Sequence, residues 1–439
     1  MFVYYIDHSI RNLRHNAAMT TLMVVLIGVG IGGSMTTLTI FRAMSQDPIP
    51  QKSARLFTPQ IDICGPVCQQ GHQGTSGAMP DQLTYVDAVA LMRLGAATRQ
   101  AAMYATDTIV HPANRQVPPF EVLARATYSD FFSMFDRPFA HGAPWTAAED
   151  EAHARVAIVT TTLSERVFGT GSSVGKLLRL GDKDYRVVGV TSEWIPLPKF
   201  YDLSIGYFGG SEQVFIPFSR AVEDKMGPTN IRCLPGSDSG TWEGVLRSEC
   251  IWIEFWAELP NVGTIQRYRD VIGSYAAEQN HDGRFSWQPR VGLPDVRQSL
   301  KDHNVVSTQV KLLMIVSFGF LLVCVLNVAG LMMARNLARC SEIGTRRALG
   351  AARHAIFAQY LIEAGVTGLF GAVLGIALTW LGLCGCRALL SRNIVLLTKL
   401  NSGDVIITVL LATGVTVLVG LWPTWRAAHV EPALQLKNK

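Results

Sequence analysis

The chain has 439 residues, of which 49% are hydrophobic and only 17% are charged, and its mean hydropathy is positive. Such a composition is unusual for a soluble protein and indicates segments that cross a membrane. The net charge of +5 does not indicate a nucleic-acid-binding protein, because acidic residues outnumber basic ones by 29 to 26 in residues 42–311.

Four uncharged, apolar runs account for the hydrophobic composition. A helix rises about 1.5 Å per residue and needs roughly 20 residues to cross a hydrocarbon core about 30 Å thick, so each run is long enough to span a bilayer. The first run is too long for a signal peptide and is followed by no small-residue cleavage site, which favours a retained anchor. The sequence therefore predicts transmembrane helices at residues 17–41, 312–334, 364–386 and 405–425.

The basic residues that flank these helices predict their orientation. Ten Lys or Arg residues but only four acidic residues lie in the segments 1–16, 335–363 and 426–439. The positive-inside rule places these three segments in the cytoplasm, although the short outside loop 387–404 also contains three basic residues. Both termini are then cytoplasmic, and residues 42–311 form a large extracytoplasmic domain.

The predicted extracytoplasmic domain is large enough to bury a core of its own and to contain two subdomains. Its pattern is that of mixed α/β structure, because short apolar runs alternate with a stretch whose apolar residues recur every three or four positions. The predicted strands are 155–160 and 250–259, the hairpin is 177–190 with its turn at 181–184, the helices are 161–168 and 262–275, and the loops are 194–210 and 227–240. The predicted fold class is an α+β membrane protein, with four transmembrane helices and a mixed α/β domain between the first two.

The stretch Phe168–Leu178, FGTGSSVGKLL, has the glycines, serines and lysine of a phosphate-binding loop. That motif requires Gly, four residues, Gly-Lys and then Ser or Thr, but the first and last of these positions are Thr170 and Leu177. The stretch also follows a predicted helix rather than a strand, and it lies on the predicted outside, away from ATP. We interpret it as a turn between a helix and a hairpin. We therefore expect no cofactor in this chain, and any ATPase is expected in a separate chain.

Four cysteines, Cys64, Cys68, Cys233 and Cys250, lie in the predicted extracytoplasmic domain, where disulfides can form. Of the three pairings, we favour Cys64–Cys68 and Cys233–Cys250 because each pair is close in sequence. Cys64 and Cys68 are separated by three residues rather than the two of a redox motif, and a metal site with His72 lacks an identifiable fourth ligand. No hydrolase constellation of Ser, His and Asp residues stands out in this domain. The sequence thus predicts neither a metal site nor catalytic residues.

Small residues are concentrated in the middle of the first predicted transmembrane helix. They are Gly28, Gly30, Gly32, Gly33 and Ser34. Such residues allow two helices to approach closely. They could form a seam between two permease chains or pack against helices of the same chain, and the sequence leaves both interpretations open.

The segment between the second and third predicted helices is short and basic. Ser341 can cap a helix that has Glu342 in its first turn, and this helix could rest on lipid headgroups or follow the positive-inside rule. Its sequence resembles the signature of the FtsX-like permease family, in the MacB-type branch. The resemblance rests on EIG at 342–344, RRALGA at 346–351 and QYLIEA at 359–364.

The resemblance extends over most of the chain. Asn12-Leu13-Arg14 resembles part of the family's amphipathic N-terminal segment, here residues 1–16, and residues 420–434 resemble its closing motif. Residues 121–145 and 155–190 are similar to the MacB-like periplasmic core domain. The resemblance implies that the extracytoplasmic domain has a porter-like part and an inserted subdomain.

What the resemblance implies is a type VII ABC transporter. The permease would work as a dimer, with a second copy or a sister permease, and two cytoplasmic ABC ATPases would bind ATP and Mg²⁺. MacB carries its ATPase domain on the same chain, but residues 1–16 leave no room for one, so a separate ATPase is expected. The family implies an ATPase-coupling role for Glu342, Ile343, Gly344, Arg346, Arg347, Ala348, Leu349, Gly350 and Ala351.

The family also passes movement outward through extended first and second transmembrane helices. The run from Asp295 to Ala334 contains no proline, and its glycines are Gly319 and Gly330, so it predicts one rigid helix from the outside domain through the membrane.

The expected function is mechanotransmission in the bacterial inner membrane, with export of a drug, peptide or lipid-linked substrate. A periplasmic adaptor and an outer-membrane channel are further expected partners, besides membrane lipid. Two alternatives stay open, namely an FtsX-like signal transmitter that regulates a cell-wall hydrolase and a Lol-like permease for lipoprotein release. The size of the outside domain and the sequence of residues 359–364 favour the MacB-type branch.

Overall fold

The computed structural model describes residues 17–63, 65, 79–114, 117–234, 236–338, 345, 352–389 and 402–428. These residues form two compact units. The helical unit consists of the described residues up to Ser45 and from Val306 onwards, and the sheet unit consists of those in Gln46–Val305. The predicted segment 1–16 lies outside the described residues.

The described part of the chain contains twelve helices and thirteen strands with named bounds. In chain order they are α1 (Ala17–Ser45), β1 (Leu56–Phe57), β2 (Gln60–Ile61), β3 (Leu83–Thr84), α2 (Tyr85–Leu94), β4 (Arg99–His111), β5 (Phe120–Thr127), α3 (Asp130–Met134), β6 (Phe139–Gly142), α4 (Ala147–Glu151), β7 (Val156–Thr160), α5 (Thr161–Phe168), β8 (Leu177–Leu180), β9 (Lys183–Thr191), β10 (Val214–Pro217), α6 (Phe218–Glu223), β11 (Arg232–Cys233), α7 (Trp242–Arg247), β12 (Cys250–Glu258), α8 (Val262–His281), β13 (Val291–Gly292), α9 (Val296–Asp302), α10 (Thr308–Ala338), α11 (Arg353–Leu389) and α12 (Ser402–Ala428).

The helical unit is built from α1, α10, α11 and α12, which contain the four predicted apolar runs. Three of these helices are long and apolar enough to cross a membrane, as judged by length and composition: Ala17–Ser45, Thr308–Arg335 and His354–Cys386. In α12 the apolar stretch is shorter, Val405–Leu421. The helical character of all four runs is confirmed, whereas a count of four transmembrane spans stays a prediction.

The sheet unit is organised around a mixed sheet of eleven strands. Eight strands follow the order β1-β12-β4-β5-β10-β7-β9-β6, while β3 and β11 also pair with β12, and β8 pairs with β4 and β9. Most neighbours are antiparallel, but β5 with β10 and β7 with β9 run parallel. A second, small sheet consists of β2 and β13. The predicted mixed α/β character of this part of the chain is confirmed.

Both faces of the large sheet are covered. In β4, Ala102 and Tyr104 belong to one buried hydrophobic cluster, whereas Ala101 and Met103 belong to another. Successive side chains of a strand point to opposite faces, so these two clusters lie on the two sides of the sheet. All positions of β12 are buried, which explains why its sequence is an almost continuous apolar run.

Most local predictions for the sheet unit agree with the structure, but the predicted loop 227–240 is wrong in part, because Arg232 and Cys233 form β11 by pairing with the distant strand β12. The predicted strands correspond to β7 and β12, the predicted helices to α5 and α8, and the predicted hairpin to β8 and β9. The helix α5 begins where expected because the side chain of Thr160 accepts a hydrogen bond from the backbone N of Leu163. Residues 194–210 contain no helix or strand, as predicted.

A cluster of buried charges holds the loop 194–210 against the sheet. Arg125 of β5 places Nη2 2.6 Å from Asp202 Oδ2 and also pairs with Glu212, and Lys199 Nζ lies 2.9 Å from Glu212 Oε1. Burial acts to raise the pKa of Glu212, but the charges of Arg125 and Lys199 outweigh it and lower that pKa. Loss of one partner of these ion pairs would leave a buried charge uncompensated inside the unit.

The prediction of one rigid helix from Asp295 through Ala334 is wrong. The helix α9 ends at Asp302, and α10 begins at Thr308. Between them Asn304 has a φ of 48°, in the left-handed region that ends a right-handed helix and that Asn tolerates better than most residues. A search for proline and glycine cannot find this break, because the residue that makes it is an asparagine.

Candidate functional site

The predicted ATPase-coupling residues lie outside the part of the chain that the structure describes. This holds for Glu342, Ile343, Gly344, Arg346, Arg347, Ala348, Leu349, Gly350 and Ala351. Thr345, between them, is helical and exposed. The role of this set stays a prediction. The helices that flank it in the sequence, α10 and α11, are described.

A buried ion pair joins α10 and α11, the two helices that flank the predicted coupling segment in the sequence. Arg335 Nη1 lies 3.2 Å from Glu363 Oε1, and the two side chains are only 4% and 1% exposed. Ionisable groups inside helical membrane units are costly, so they are commonly functional. We call this contact the α10–α11 ion pair.

Sequence reasoning missed this pair, although a signal for it was present. Arg335 and Glu363 are the first and last residues of the predicted cytoplasmic segment 335–363. Ionisable residues at the edges of apolar helices are costly to bury alone, so two of opposite charge are candidates to pair with each other. That pattern could have predicted the contact without any knowledge of the structure.

The glycines of α1 lie mostly against other helices of the same chain. A Cβ atom placed on Gly28 or Gly32 would come within 2.7 Å of a leucine side chain of α11. A Cβ atom on Gly30 would come within 3.0 Å of Cys324 Cβ on α10. The distances at Gly28 and Gly32 are too short for a real Cβ atom and the one at Gly30 is tight, so the close approach of α1 to both helices favours glycine.

The contact between α1 and α11 is reciprocal, because α11 also presents glycines to α1. A Cβ atom on Gly371 would lie 2.5 Å from the side chain of Ile27, and one on Gly375 would lie 3.2 Å from that of Ile31. Bulky residues of each helix therefore fit where the other helix has no side chain.

Polar side chains link α1 to α10 next to these glycines. Ser34 Oγ donates a hydrogen bond to Ser317 O at 3.0 Å, and Thr37 Oγ1 donates one to Ser317 Oγ at 2.8 Å. By contrast, a Cβ atom on Gly33 would have no heavy atom of the described residues within 4 Å. Gly28, Gly30, Gly32 and Ser34 thus take part in packing within the chain, while a role of Gly33 at a dimer seam stays a prediction.

In the sheet unit, Cys233 and Cys250 form a disulfide between the antiparallel neighbours β11 and β12. This is the pairing favoured by their closeness in sequence. Cys64 and Cys68 lie outside the described residues, so their pairing stays a prediction. Within the described ranges, no group of three or more His, Cys, Asp or Glu side chains is placed to hold a metal ion.

The stretch Phe168–Leu178 connects α5 to β8, as predicted. Gly175 N donates a hydrogen bond to Val187 O at 2.7 Å, which holds the stretch to the hairpin. Lys176 Nζ lies 5.4 Å from the centroid of the Phe168 ring. The glycine and the lysine are therefore engaged in local contacts of a turn.

Asp81, Arg232 and His303 form a second charged cluster in the sheet unit. Of the three, His303 lies between α9 and α10 in the sequence. His303 Nε2 lies 2.9 Å from Asp81 Oδ2, and Arg232 pairs with the other carboxylate oxygen. Burial acts to raise the pKa of Asp81, but His303 and Arg232 outweigh it and lower that pKa to about 2. Burial acts to lower the pKa of His303, but Asp81 outweighs it and raises that pKa. The two groups therefore favour the charged form of each other.

Two family models match this chain. The MacB-like periplasmic core domain matches residues 20–247, and the FtsX-like permease C-terminal domain matches residues 314–432. The second match contains the α10–α11 ion pair and the predicted coupling segment.

Individual relatives are distant. The chain is 24% identical over 311 residues to the pyoverdine export ATP-binding/permease protein PvdT of Pseudomonas aeruginosa, with 71% of this chain and 41% of the relative covered. It is 23% identical over 427 residues to the macrolide export ATP-binding/permease protein MacB of Shewanella oneidensis, with 95% and 58% covered. The chain thus spans about two fifths to three fifths of the length of these relatives.

Among solved structures, the chain is similar to the periplasmic region of MacB from Actinobacillus actinomycetemcomitans. The sequence identity is 11%, the match covers 59% of this chain and 96% of the other, and the TM-score is 0.38, which is too low to support any conclusion. The family models carry the assignment instead, because the first of them alone matches more than half of the residues. The chain therefore belongs to the ABC transporter permeases that combine a MacB-like periplasmic core domain with an FtsX-like permease C-terminal domain.

Proposed function

We propose that this chain is a permease subunit that couples ATP hydrolysis in a separate cytoplasmic ATPase to a conformational change of its sheet unit, and that the change drives export of a drug, peptide or lipid-linked substrate. The observation that carries the proposal is the α10–α11 ion pair, Arg335 with Glu363, beside the predicted coupling segment. A buried pair at this place makes α10 and α11 respond together to a force on the residues between them.

The packing of α1 supports the next step of the mechanism. The helix α1 contacts α11 through Gly28 and Gly32, and it contacts α10 through Gly30 and Ser34. Packed helices with two discrete arrangements can pass a displacement on, since close packing prevents gradual deformation. In sequence, α1 leads into the sheet unit and α10 follows it, so both chain connections to that unit come from helices in this packed group.

We further propose the topology and the partners. All four long helices cross the bacterial inner membrane, both termini are cytoplasmic, and the sheet unit lies in the periplasm. A second permease chain, either a copy or a sister permease, completes the dimer, and two ABC ATPase chains bind ATP and Mg²⁺. A periplasmic adaptor and an outer-membrane channel would complete an export route. The length and mean hydropathy of α1, α10 and α11 support the membrane crossing, and the family of the chain supports the ATPase partner.

The proposal predicts that Glu342→Ala with Arg346→Ala uncouples the ATPase. The permease is purified from its native membrane together with the ATPase, and ATP hydrolysis is measured with and without the permease in lipid nanodiscs. Allosteric coupling is typically worth about 1–3 kcal/mol, so the stimulation should fall roughly 5- to 150-fold. Membrane insertion should be unchanged, because both residues lie outside the apolar helices.

Arg269→Ala with Glu278→Ala is the matched control, because it removes the same two charges from exposed positions of α8. Stimulation by this variant should equal that of the wild type. Full stimulation by the coupling variant, or ATP hydrolysis by the purified permease alone, would overturn the proposal. If a periplasmic protein stimulates ATP hydrolysis and no substrate is exported, the function is signal transmission rather than export.

A further inference from the structure

The sheet unit contains a cavity of about 650 Å³. Its walls come from α2, α4 and α6 and from the chain that follows β5. The strands β5 and β10 run parallel, and they end side by side at Thr127 and Pro217, directly before the wall residues Tyr128 and Phe218. In α/β sheets the carboxyl ends of neighbouring parallel strands are a favoured place for ligands, and this volume is in the range of small-molecule sites.

One wall of the cavity is aromatic. The ring of Phe218 is stacked with that of Tyr128 at a centroid distance of 5.3 Å, and with that of Tyr85 at 6.3 Å. Phe218 is buried, whereas the two tyrosines are partly exposed and line the opening. Such a surface favours a flat or apolar group, and the electron-rich ring faces also attract cations.

The charges around the cavity are mainly negative. Four carboxylates line it, namely Asp130, Asp150, Glu151 and Glu223, together with the cation Arg93 and the imidazole of His153. His153 does not offset the remaining acids, because it already pairs with Glu223, which also pairs with Arg220.

Asp150 contributes to the negative charge around the cavity, and two hydrogen bonds hold its carboxylate in place. Its carboxylate accepts hydrogen bonds from Trp145 Nε1 at 2.7 Å and from Ser129 N at 2.8 Å. Burial raises the pKa of Asp150, which means that its charge has lost solvation. A cation bound nearby would compensate for that loss.

A buried amide supplies the second, independent indication of a ligand. Gln100 lines the cavity and is only 6% exposed. Its Nε2 donates hydrogen bonds to Leu91 O at 3.0 Å and to Met92 O at 2.8 Å, but its Oε1 accepts none from the described residues. Buried acceptors are nearly always satisfied, so this oxygen is placed to accept a hydrogen bond from a bound group.

We propose that this cavity binds a ligand in which a protonated amine or a guanidinium is joined to an aromatic or apolar group. The apolar group packs against Tyr85, Phe218 and Tyr128, the cation is held by Asp130 and Glu151, and an N–H of the ligand donates to Gln100 Oε1. The same chemistry is found in free amines and in basic side chains of polypeptides. The inference does not depend on ATPase coupling, since it concerns binding alone.

The test is binding of tryptamine to the purified full-length protein in nanodiscs, measured by calorimetry. We expect saturable binding of tryptamine, and at least tenfold weaker binding of indole-3-propionate, which has the same ring with a carboxylate. Asp130→Asn with Glu151→Gln should weaken tryptamine binding at least tenfold. Asp107→Asn, an exposed carboxylate of β4 outside the cavity, should leave it unchanged.

The affinity for acetyl-Trp-Arg-amide, compared with that for tryptamine, distinguishes a polypeptide ligand from a free amine. Tighter binding of this peptide than of tryptamine assigns the cavity to a polypeptide segment, and tighter binding of tryptamine assigns it to a free amine. If Asp130→Asn does not fold, Glu151→Gln alone serves, because Glu151 is exposed at the end of α4. Absence of tryptamine binding, equal binding of indole-3-propionate, or unchanged binding by the carboxylate variant would overturn the proposal.

Discussion

His303 directly follows α9, and its partner Asp81 lies 222 residues earlier in the sequence. The lowered pKa of Asp81 means that its contribution to stability is present above about pH 3.8, the ordinary value, and is lost as the pH falls towards 2. The raised pKa of His303 means that its contribution is present below about pH 6.5 and is lost as the pH rises through its folded value. The pair should therefore stabilise the sheet unit most between about pH 4 and pH 6.5.

We predict that His303→Gln lowers stability in a pH-dependent way. At pH 5.5 the variant should lose about 1.5–3 kcal/mol, the usual net value of a hydrogen bond to a charged group. At pH 8.5 the deficit should be smaller, because the wild-type imidazole loses its proton, and with it this contribution, as the pH rises. The measurement is the thermal unfolding midpoint of the full chain in detergent at both pH values.

His281→Gln provides the control, since the His281 side chain is 91% exposed at the end of α8. This variant should behave as the wild type at both pH values. A deficit of His303→Gln that is equal at pH 5.5 and 8.5 would show that the contact is a neutral hydrogen bond only.

For contacts between single residues, the separation of the two partners in the sequence decides whether the contact can be predicted. Cys233 and Cys250 are 17 residues apart, and their closeness was enough to favour the pairing that the structure has. The contact of His303 with Asp81 depends on the order of strands in a large sheet, because β3 and β11 must both pair with β12 to bring Arg232 and Asp81 together. Nothing local in the sequence encodes that order.

The glycines of α1 allow a prediction at the scale of one helix. A Cβ atom on Gly32 would lie 2.7 Å from Leu378 Cβ, an atom that cannot move without the backbone of α11. We predict that Gly32→Ala destabilises the helical unit by about 1–3 kcal/mol from overpacking, less a gain of up to about 1 kcal/mol in helix propensity. The free energy of unfolding is measured by denaturant titration in mixed micelles.

Gly33→Ala is the matched control, one residue further along the same helix. Its Cβ atom would meet no described atom within 4 Å, so only the gain in helix propensity of up to about 1 kcal/mol should remain. Gly33→Ala should thus be neutral or stabilising in the monomer. Equal destabilisation by both variants would show that the cost is not the contact of α1 with α11.

Predictions of elements succeeded where the signal was local and failed where it was not. The strand β12 and the helix α8 were predictable, because an apolar run and a repeat of three or four residues are properties of the segment itself. The glycine contacts of α1 were ambiguous, since a small residue permits close packing without naming the partner. The break between α9 and α10 was missed, because Asn304 adopts its left-handed conformation without a glycine or proline.

For the whole molecule, composition predicted the division of the chain. The apolar runs and the segment between the first two of them correspond closely to the helical and sheet units, whose boundaries lie at Ser45 and Val306. The order of the eleven strands was not predictable, because most partners are far apart in the sequence. The α10–α11 ion pair, by contrast, had a signal in the sequence, and it offers a test of how the units of the permease are driven.

We predict that reversing one charge of this pair disrupts the permease and that reversing both restores it. Arg335→Glu or Glu363→Arg places like charges in a buried contact, and loss of one partner of such a pair costs about 3–5 kcal/mol. The double variant regains opposite charges between α10 and α11. Both the yield of monodisperse protein and the stimulation of the ATPase should therefore fall in each single variant and recover in part in the double variant.

Lys311→Glu, a reversal at an exposed position of α10, should change neither quantity. If the single variants fold and stimulate the ATPase as the wild type does, α10 and α11 do not need this contact to move together, and the coupling must pass through the apolar packing of α1 instead.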